Sequence, residues 1–221
     1  MKIDFYIKRS QRRKSITIKI EQYPPRVVVL APKLMPQSRI ESFVQQKSKW
    51  ITEHFEIVQK RNILLPKLQT GEKIFVAGQY YMLDISQRED ACIRNDVISL
   101  PIGKEKNYLY AYAKKLLLPY ALKRTKEIAD SFGLRFNSIK IGNAKTKWGS
   151  CDSKGRIIYS TPLAFLPPEI IEYVILHELC HTVEMNHGKK FYSLLARFMP
   201  DYVSRVRRLK EYSPLLHFFI D

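Results

Sequence analysis

The chain has 221 residues, of which 45% are hydrophobic and 27% charged, and its 38 basic and 21 acidic side chains give a formal charge of +17. This composition excludes an intrinsically disordered chain, and eight glycines and 12 prolines exclude a collagen-like or low-complexity sequence. The apolar runs are too short to cross a bilayer, so no membrane association is expected. Three cysteines, Cys92, Cys151 and Cys180, and an N-terminus without an apolar signal stretch predict reduced thiols and a cytoplasmic location.

The first hundred residues are predicted to be rich in β-structure. Residues 15–20 alternate apolar and polar side chains, as a half-buried strand does, and residues 26–30 form a second β-rich run. One helix is predicted over residues 36–61, because apolar side chains recur there at spacings of three and four. Two further strands are predicted at residues 74–85 and 92–100.

The remainder of the chain mixes helices with short strands. An amphipathic helix is predicted over residues 105–131, where Pro119 should kink or split it and Gly133 provides a C-cap. The later elements are predicted to be strands at 136–141, 146–151 and 156–160 and helices at 167–185, 189–199 and 202–212. These patterns predict an α+β protein in which a β-rich N-terminal region with one helix, residues 1–102, precedes a C-terminal domain, residues 103–221.

The positive charge is confined to two stretches of the sequence. Residues 1–70 carry 15 basic and 5 acidic side chains, net +10, and residues 101–160 carry 13 and 4, net +9. Residues 71–100 carry 3 and 5, net −2, and residues 161–221 carry 7 and 7, net zero. Such a field favours nucleic acid or another polyanion as a partner, with salt-dependent affinity. The alternative is a solvated basic surface that only keeps the protein soluble.

The segment His177-Glu178-Leu179-Cys180-His181 carries the clearest chemistry in the sequence. Two histidines at positions i and i+4 lie on one face of a helix, about 5–6 Å apart at their β-carbons. Two imidazoles at that spacing can bind one zinc ion, and Glu178 lies beside them within reach of a water molecule. A helix in which neighbours satisfy both histidines is the alternative.

A third metal ligand is predicted six residues after the second histidine. His187 is flanked by Asn186 and Gly188, which both tolerate left-handed backbone, so the chain can turn back there and bring the imidazole under the metal. Glu184 is the rival, because a continuous helix would return it to the face of His177. It would then bind the metal or orient a histidine; otherwise it is a surface residue.

Four other features lie near the motif or share its residue types. Residues 143–151, which include Trp148, form either an edge strand that lines the substrate or a core hairpin. Cys180 falls on the apolar side of its helix, so a buried structural thiol is expected there. His54 and His217 have no partner at ligand spacing and are predicted to lie outside the site.

These residues, taken together with blocks elsewhere in the chain, resemble the YgjP-like metallopeptidase family, which is related to the SprT-like minimal zincins. The matching blocks are residues 12–16, 27–32, 49–51, 78–80, 147–151, 163, 167–168, 173–174, 177–181, 186–187 and 191. The resemblance implies a zincin-like catalytic domain in the C-terminal region. It also implies His177, His181 and His187 as metal ligands and Glu178 as the catalytic acid and base.

The function predicted from the motif is zinc-dependent hydrolysis, best matched to a peptide bond in a protein or peptide substrate. Zn²⁺ activates water and polarises the scissile carbonyl, while Glu178 takes the water proton and passes it to the leaving amine. Tyr192, Tyr202 and Lys147 are candidates to stabilise the oxyanion, and the sequence does not choose among them.

Two alternatives use the same residues differently. A basic cleft could hold a nucleotide, whose phosphoanhydride the activated water would attack, although the sequence has no G-x-x-x-x-G-K-[ST] phosphate loop. A non-catalytic nucleic-acid-binding module could use the basic regions with Tyr108, Tyr110 and Tyr112. Glu178 argues against that module, because metal binding alone does not require it.

Overall fold

The computed structural model describes residues 3–219, which mix helices with strands throughout and confirm the predicted α+β class. The chain divides between Leu65 and Pro66 into an N-terminal unit and a C-terminal unit. No helix among residues 3–219 is long and apolar enough to cross a membrane.

The N-terminal unit is a three-stranded sheet with two helices. Its elements are β1 (Tyr6–Ser10), β2 (Thr17–Gln22), β3 (Pro25–Pro32), α1 (Gln37–Gln46) and α2 (Ser48–Asn62). The strand order is β1-β3-β2, with β1 parallel and β2 antiparallel to the central β3. The single helix predicted over residues 36–61 is two helices, because the backbone of Lys47 leaves helical geometry at ψ 9°.

The core of the N-terminal unit is entirely apolar. Alternate residues of β3 point to one face of the sheet, as the two-residue period of a strand requires, and pack against the buried sides of both helices. The buried members of this cluster are Val27, Val29, Ala31, Ile40, Val44 and Ile51. The helical spacing of the last three residues is the signal from which the sequence predicted a helical region here.

The C-terminal unit contains the remaining elements. The strands are β4 (Lys73–Val76), β5 (Gln79–Ser86), β6 (Cys92–Arg94), β7 (Val97–Pro101), β8 (Ser138–Gly142), β9 (Gly149–Cys151) and β10 (Arg156–Ser160). The helices are α3 (Glu105–Phe132), α4 (Pro168–Cys180), α5 (Lys189–Phe198), α6 (Tyr202–Glu211) and α7 (Leu215–Phe218). A 3-10 turn, Thr161–Phe165, joins β10 to α4.

The predicted boundary at residues 102/103 does not coincide with the division of the structure, because residues 66–102 belong to the same unit as the motif. Strands β4 to β7 form a sheet in the order β4-β5-β7-β6, and both β4 and β7 contact α3. Gly78 has a φ of +90°, and a β-carbon there would lie 2.5 Å from the ring of Tyr120 on α3. The sequence pattern of short strands gave no information about this long-range packing.

Helix α3 is one continuous helix of 28 residues that contains Pro119, so of the predicted kink or split, the split does not occur. It ends at Gly133, which is the C-cap with a φ of +65°, as predicted. Helix α4 packs on α3, and nine of its 13 residues are buried, which is typical of a central helix. A second small sheet, in the order β8-β10-β9, places β9 at its edge and against α4.

Candidate metal centre

The end of α4 determines where the histidines of the motif lie. The helix was predicted to reach residue 185 but ends at Cys180, and His181 follows with helical φ and ψ. The i, i+4 spacing of His177 and His181 is therefore preserved. The chain then turns, with the amide of Glu184 donating to the carbonyl of Cys180 at 2.9 Å, and His187 returns to the same place.

The three imidazoles meet at their Nε2 atoms. His187 Nε2 lies 3.1 Å from Nε2 of His181 and 3.1 Å from Nε2 of His177. The potential ligand atoms of the three residues all lie within 4.8 Å of one another. Two nitrogens bound to one zinc ion at about 2.0–2.1 Å with tetrahedral angles are roughly 3.3 Å apart. The spacing therefore fits a single metal ion of this size.

Hydrogen bonding alone does not satisfy this cluster. An imidazole nitrogen carries either one proton or one lone pair, so it can form one good hydrogen bond in the ring plane. His187 Nε2 has two Nε2 neighbours at 3.1 Å, and at most one of these contacts can be a hydrogen bond. The other contact brings two lone pairs or two N–H groups together, and these repel each other. A cation bound by the lone pairs of all three Nε2 atoms removes this repulsion. The donor set thus fits a metal on its own geometry.

The opposite ring nitrogens of two of the imidazoles contact the protein. His181 Nδ1–H donates to the backbone carbonyl of Glu184 at 3.1 Å, which leaves Nε2 of His181 with its lone pair. His177 Nδ1 lies 3.4 Å from the Tyr173 hydroxyl, and either atom can be the donor in this contact. Burial, followed by the neighbouring histidines, lowers the pKa of His177 to about 3, and burial also lowers the pKa of His181. Both imidazoles are therefore neutral at pH 7, as metal ligands must be.

The rings of the three histidines rest on Phe191 of α5, which is fully buried. Its ring centroid lies 4.6 Å from that of His181, 4.9 Å from that of His187 and 5.0 Å from that of His177. The sequence reasoning assigned no role to Phe191 or to Tyr173. Tyr173 could have been found from helical spacing, because it precedes His177 by four residues on α4. Phe191 could not, because it lies on α5 whereas His187 precedes that helix.

Glu178 is a buried carboxylate pressed against the edge strand. Its side chain is 5% exposed, and its Oε2 atom has no hydrogen-bond partner among the described residues. Burial raises the pKa of Glu178 to about 7, and the ammonium group of Lys147 opposes that rise. A β-carbon on Gly149 would lie 2.7 Å from Glu178 Oε1, so only glycine leaves room for the carboxylate at this point of β9.

An open cavity of about 440 Å³ connects the histidines, the carboxylate and the edge strand. It is lined by Lys147, Trp148, Gly149, Ser150, Cys151, Tyr173, Val174, His177, Glu178, His181, Met185, His187 and Leu209. Among the three oxyanion candidates, Lys147 lines this cavity. Tyr192 and Tyr202 instead stack on each other with their centroids 6.1 Å apart, and the Tyr192 ring lies 6.3 Å from that of His187.

Other residues singled out in the sequence take different positions. The side chain of Glu184 is not in the ligand cluster, although its carbonyl orients His181. Cys180 is fully buried, and burial raises the pKa of its thiol to about 12, in keeping with a structural role. His54 lies in the N-terminal unit, where its Nδ1 contacts the Trp50 carbonyl at 2.9 Å. His217 lies on α7 and is not part of the ligand cluster.

The segment at residues 143–151 ends in the edge strand that lines the cavity. Strand β9 pairs with β10 on one side only, with Gly149 opposite Tyr159 and Cys151 opposite Ile157. Trp148 also lines the cavity, and its carbonyl accepts a hydrogen bond from the Ser160 amide at 2.8 Å. Of the two interpretations left open by the sequence, the structure has the edge strand beside the candidate site.

Two imidazoles and a buried carboxylate at the end of α4, joined by a third imidazole from the turn that follows, indicate the class of metal-dependent hydrolases. Comparison with known families gives the same class: the model of the YgjP-like metallopeptidase domain matches residues 14–212, and the chain belongs to the YgjP-like family. The resemblance drawn from the sequence is thereby confirmed. No curated protein and no solved structure matches the chain.

Proposed function

We propose that this protein is a zinc-dependent hydrolase that cleaves peptide bonds. The observation that carries the proposal is the meeting of three Nε2 atoms within one cavity beside the buried Glu178 carboxylate. One oxygen of this carboxylate has no hydrogen-bond partner in the described part of the chain. A buried polar group without a partner is costly, and such groups concentrate at sites of chemistry.

His177, His181 and His187 would hold the zinc ion. Neutral imidazole nitrogens are preferred zinc ligands, and three protein ligands leave one position open, as catalytic zinc sites do. When bound there, zinc supplies Lewis acidity that lowers the pKa of a water molecule and polarises a carbonyl. Tyr173 and the Glu184 carbonyl keep two of the imidazoles oriented through their Nδ1 atoms.

Glu178 would act as the general base and then as the general acid. Its pKa of about 7 is matched to proton transfer near neutral pH, since an efficient base is one whose pKa lies near the working pH. The Oε2 atom, which has no hydrogen-bond partner among residues 3–219, is free to accept the proton of an attacking water. The same carboxyl group then gives that proton to the leaving amine nitrogen.

The exposed edge of β9 supports a peptide as the substrate. Strand β9 ends the β8-β10-β9 sheet, so the backbone groups on its other edge are not used within that sheet. Extended peptides bind such edges by adding a strand, through main-chain hydrogen bonds that are independent of the peptide sequence. A peptide paired in this way would run along the cavity, past Glu178 and the three histidines.

One observation favours a second candidate, hydrolysis of a nucleotide phosphoanhydride at the same centre. Lys147 lines the cavity, and neither it nor the nearby Lys140 forms an ion pair with any residue from 3 to 219. Unpaired ammonium groups beside a metal centre suit phosphate oxygens as well as carboxylates. Glu178 would activate water in the same way in this reaction.

The experiment that tests the proposal compares zinc-loaded wild-type protein with Glu178→Gln. The substitution keeps the size of the side chain and removes the base, so zinc content should be unchanged while hydrolysis falls by about 10²–10⁴-fold. Casein-type proteins, peptides and nucleoside triphosphates are assayed side by side. Glu184→Gln is the matched control, since its side chain lies outside the ligand cluster. Full activity in Glu178→Gln on every cleaved substrate would refute the proposed role of the carboxylate.

A further inference from the structure

A second cavity lies alongside β9, next to the one that holds the metal centre. It has a volume of about 380 Å³, and its walls include Lys140 of β8, Arg156 of β10 and Ser150 of β9. Lys147 and Ser150 line both cavities. The two spaces therefore adjoin along the edge strand, where a bound substrate would pass.

Two of the cations that line this second cavity form no ion pair with the described residues, although Lys147 also acts electrostatically on Glu178. Arg156 is paired with Asp152 at 2.6 Å, and Asp152 also accepts the amide protons of Lys154 and Arg156 at 3.0 Å each. Lys140 and Lys147 make no ion pair within the described part of the chain. Three basic groups and one acidic group give this cavity a net charge of +2, so it attracts an anion.

In the β8-β10-β9 sheet, the strand register places side chains of a substrate bound along β9 on the same face as Lys140. Ser150 pairs with Ile158, which pairs in turn with Lys140, and laterally paired residues project on the same face of a sheet. If a substrate strand paired with β9, the substrate side chain beside Ser150 would lie on the face of Lys140. The substrate side chains before and after it would lie on the opposite face, towards Glu178. Ile158 between them is 42% exposed, so the face is not covered by protein.

We infer that this second cavity is a subsite for an anionic oxygen group of the substrate, held by Lys140 and Lys147 beside the bond to be cleaved. This inference rests on the proposed function, because it concerns the substrate of the same centre. In a peptide the group is the carboxylate of an aspartate or glutamate next to the cleavage site. In a nucleotide it is a phosphate adjoining the cleaved phosphoanhydride. The shared chemistry is two ammonium groups that bind carboxylate or phosphate oxygens.

The first arm of the test uses peptide pairs that differ by glutamate against glutamine at one position. Zinc-loaded wild-type protein should show a kcat/KM about 3- to 10-fold higher for glutamate at one position, as expected for two partly exposed ion pairs. This preference should shrink as salt is added, because salt screens exposed charges. Lys140→Glu should remove the preference or reverse it in favour of lysine. Lys126→Glu, an exposed change on α3, should leave it intact.

The second arm measures binding without turnover, on zinc-loaded Glu178→Gln. Fluorescent glutamate and glutamine peptides are titrated, and adenosine triphosphate, adenosine and a DNA oligonucleotide serve as competitors. Tighter binding of the glutamate peptide that Lys140→Glu abolishes identifies carboxylate as the ligand. Binding of the triphosphate but not adenosine, with the same dependence on Lys140, identifies phosphate. Either result supports the subsite.

The two arms distinguish failure of the subsite from failure of the proposed function. If no substrate is cleaved but binding still depends on anionic groups and Lys140, the subsite stands and the hydrolase is refuted. If substrates are cleaved or bound with equal preference for charged and uncharged forms, the subsite is refuted and the hydrolase stands. Absence of any binding overturns the subsite. Competition that depends on Lys140 and comes from DNA alone overturns it too, since it assigns the cavity to a nucleic acid backbone.

Discussion

The two units of the chain bury different kinds of side chain. The N-terminal unit buries only apolar residues among those described, from Val27 on β3 to Val58 on α2. The C-terminal unit buries every polar or charged residue in the described range that is buried at all. These residues are Ser99, Thr125, Ser160, Thr161, Glu178 and His181. The N-terminal unit has one buried side-chain atom without a hydrogen-bond partner among the described residues, Asn62 Oδ1, whose amide nitrogen donates to the Gln22 and Val58 carbonyls. The C-terminal unit also has one, Glu178 Oε2, and only this atom belongs to an ionisable group.

Most of the buried polar groups in the C-terminal unit are compensated. Thr125 shares a 3.1 Å hydrogen bond with the Tyr159 hydroxyl, Ser160 donates to the Ala144 carbonyl, and Thr161 donates to the Gly142 carbonyl. Glu178 differs, because its buried Oε2 has no partner among residues 3–219. Burying a carboxylate without full compensation raises its pKa and destabilises the fold. This cost supports the catalytic role proposed for Glu178.

The N-terminal unit carries its distinctive chemistry on the surface. Residues 1–70 have a net charge of +10, and between Phe5 and Ile40 the only acidic residue is Glu21. A polyanion contact through Arg12, Arg13 and Lys14 stays a prediction from charge, and the metal centre does not depend on it.

The largest expected effect is the loss of zinc on substitution of a ligand in the C-terminal unit, with no loss on substitution of a histidine in the N-terminal unit. His187→Ala removes one of three zinc ligands, so zinc should fall from about one ion per chain to a small fraction after dialysis, because catalytic sites use three protein ligands. Elemental analysis and competition with a chelator measure the loss. His54→Ala, in the N-terminal unit, should keep its zinc.

A further control separates the two ligand candidates of the sequence. Glu184→Ala removes a side chain outside the cluster and keeps the carbonyl that orients His181, so zinc affinity should change little. Weaker zinc binding in Glu184→Ala than in His187→Ala would transfer the ligand role to Glu184. Zinc loss in His54→Ala would contradict the confinement of the site to one unit.

The second prediction concerns the contact between Gly149 of β9 and the Glu178 carboxylate. Gly149→Ala places a β-carbon 2.7 Å from Glu178 Oε1 and displaces the base, so kcat should fall by about 10- to 100-fold, as for a misplacement of about 1 Å. Zinc should remain. Gly188→Ala is the matched control, because nothing lies within 4 Å of a β-carbon there and its φ of −90° suits alanine. Equal activity of the two variants would show that β9 does not position Glu178.

The local features of the candidate site depend on short spacings in the sequence. The spacing of His177, Glu178 and His181 follows from helical geometry, and the small flanks of His187 indicated a turn. Both are properties of neighbours in the chain, and the structure brings the three imidazoles together. The short strands near residues 156–160 and the helix near 189–199 were also predicted within one or two residues.

Features that depend on distant residues were not predictable in the same way. The glycine at position 149 was unusual for a plain strand, and a glycine inside a strand indicates a close approach, but the pattern does not say of what. Its partner, Glu178, is 29 positions away. The division between Leu65 and Pro66 was not predicted for the same reason. It depends on long-range packing such as that of Gly78 on Tyr120, two residues on opposite sides of the predicted boundary at 102/103.

The smallest expected effect lies in the N-terminal unit and involves a charge that is compensated. Glu21 pairs with Lys8 at 3.0 Å and with Arg26 at 2.7 Å. Partial burial raises the pKa of Glu21, but the hydrogen bonds and charges of Lys8 and Arg26 outweigh it, so the pKa lies below its ordinary value of 4.5. Glu21→Gln should lower the free energy of unfolding by about 1 kcal/mol or less at pH 7, the usual range for surface ion pairs.

The pH dependence of this difference in unfolding free energy shows whether it comes from the charge of Glu21 or from the packing of its side chain. A carboxyl group whose pKa is lowered by folding stabilises the protein above its unfolded pKa of about 4.5 and loses this contribution as the pH falls through the folded value. The gap between wild type and Glu21→Gln should therefore narrow as the pH falls below 4.5 and close once it passes the lower pKa of the folded state. Urea unfolding followed by Trp50 fluorescence in a Trp148→Phe background measures this gap. Glu41→Gln, which removes an exposed carboxylate without an ion pair among the described residues, is the control and should change stability less at pH 7. A difference in unfolding free energy that persists unchanged at pH 3 would mean that the loss comes from packing of the Glu21 side chain and not from its charge. The contrast between a compensated charge at Glu21 and an uncompensated charge at Glu178 would then no longer hold.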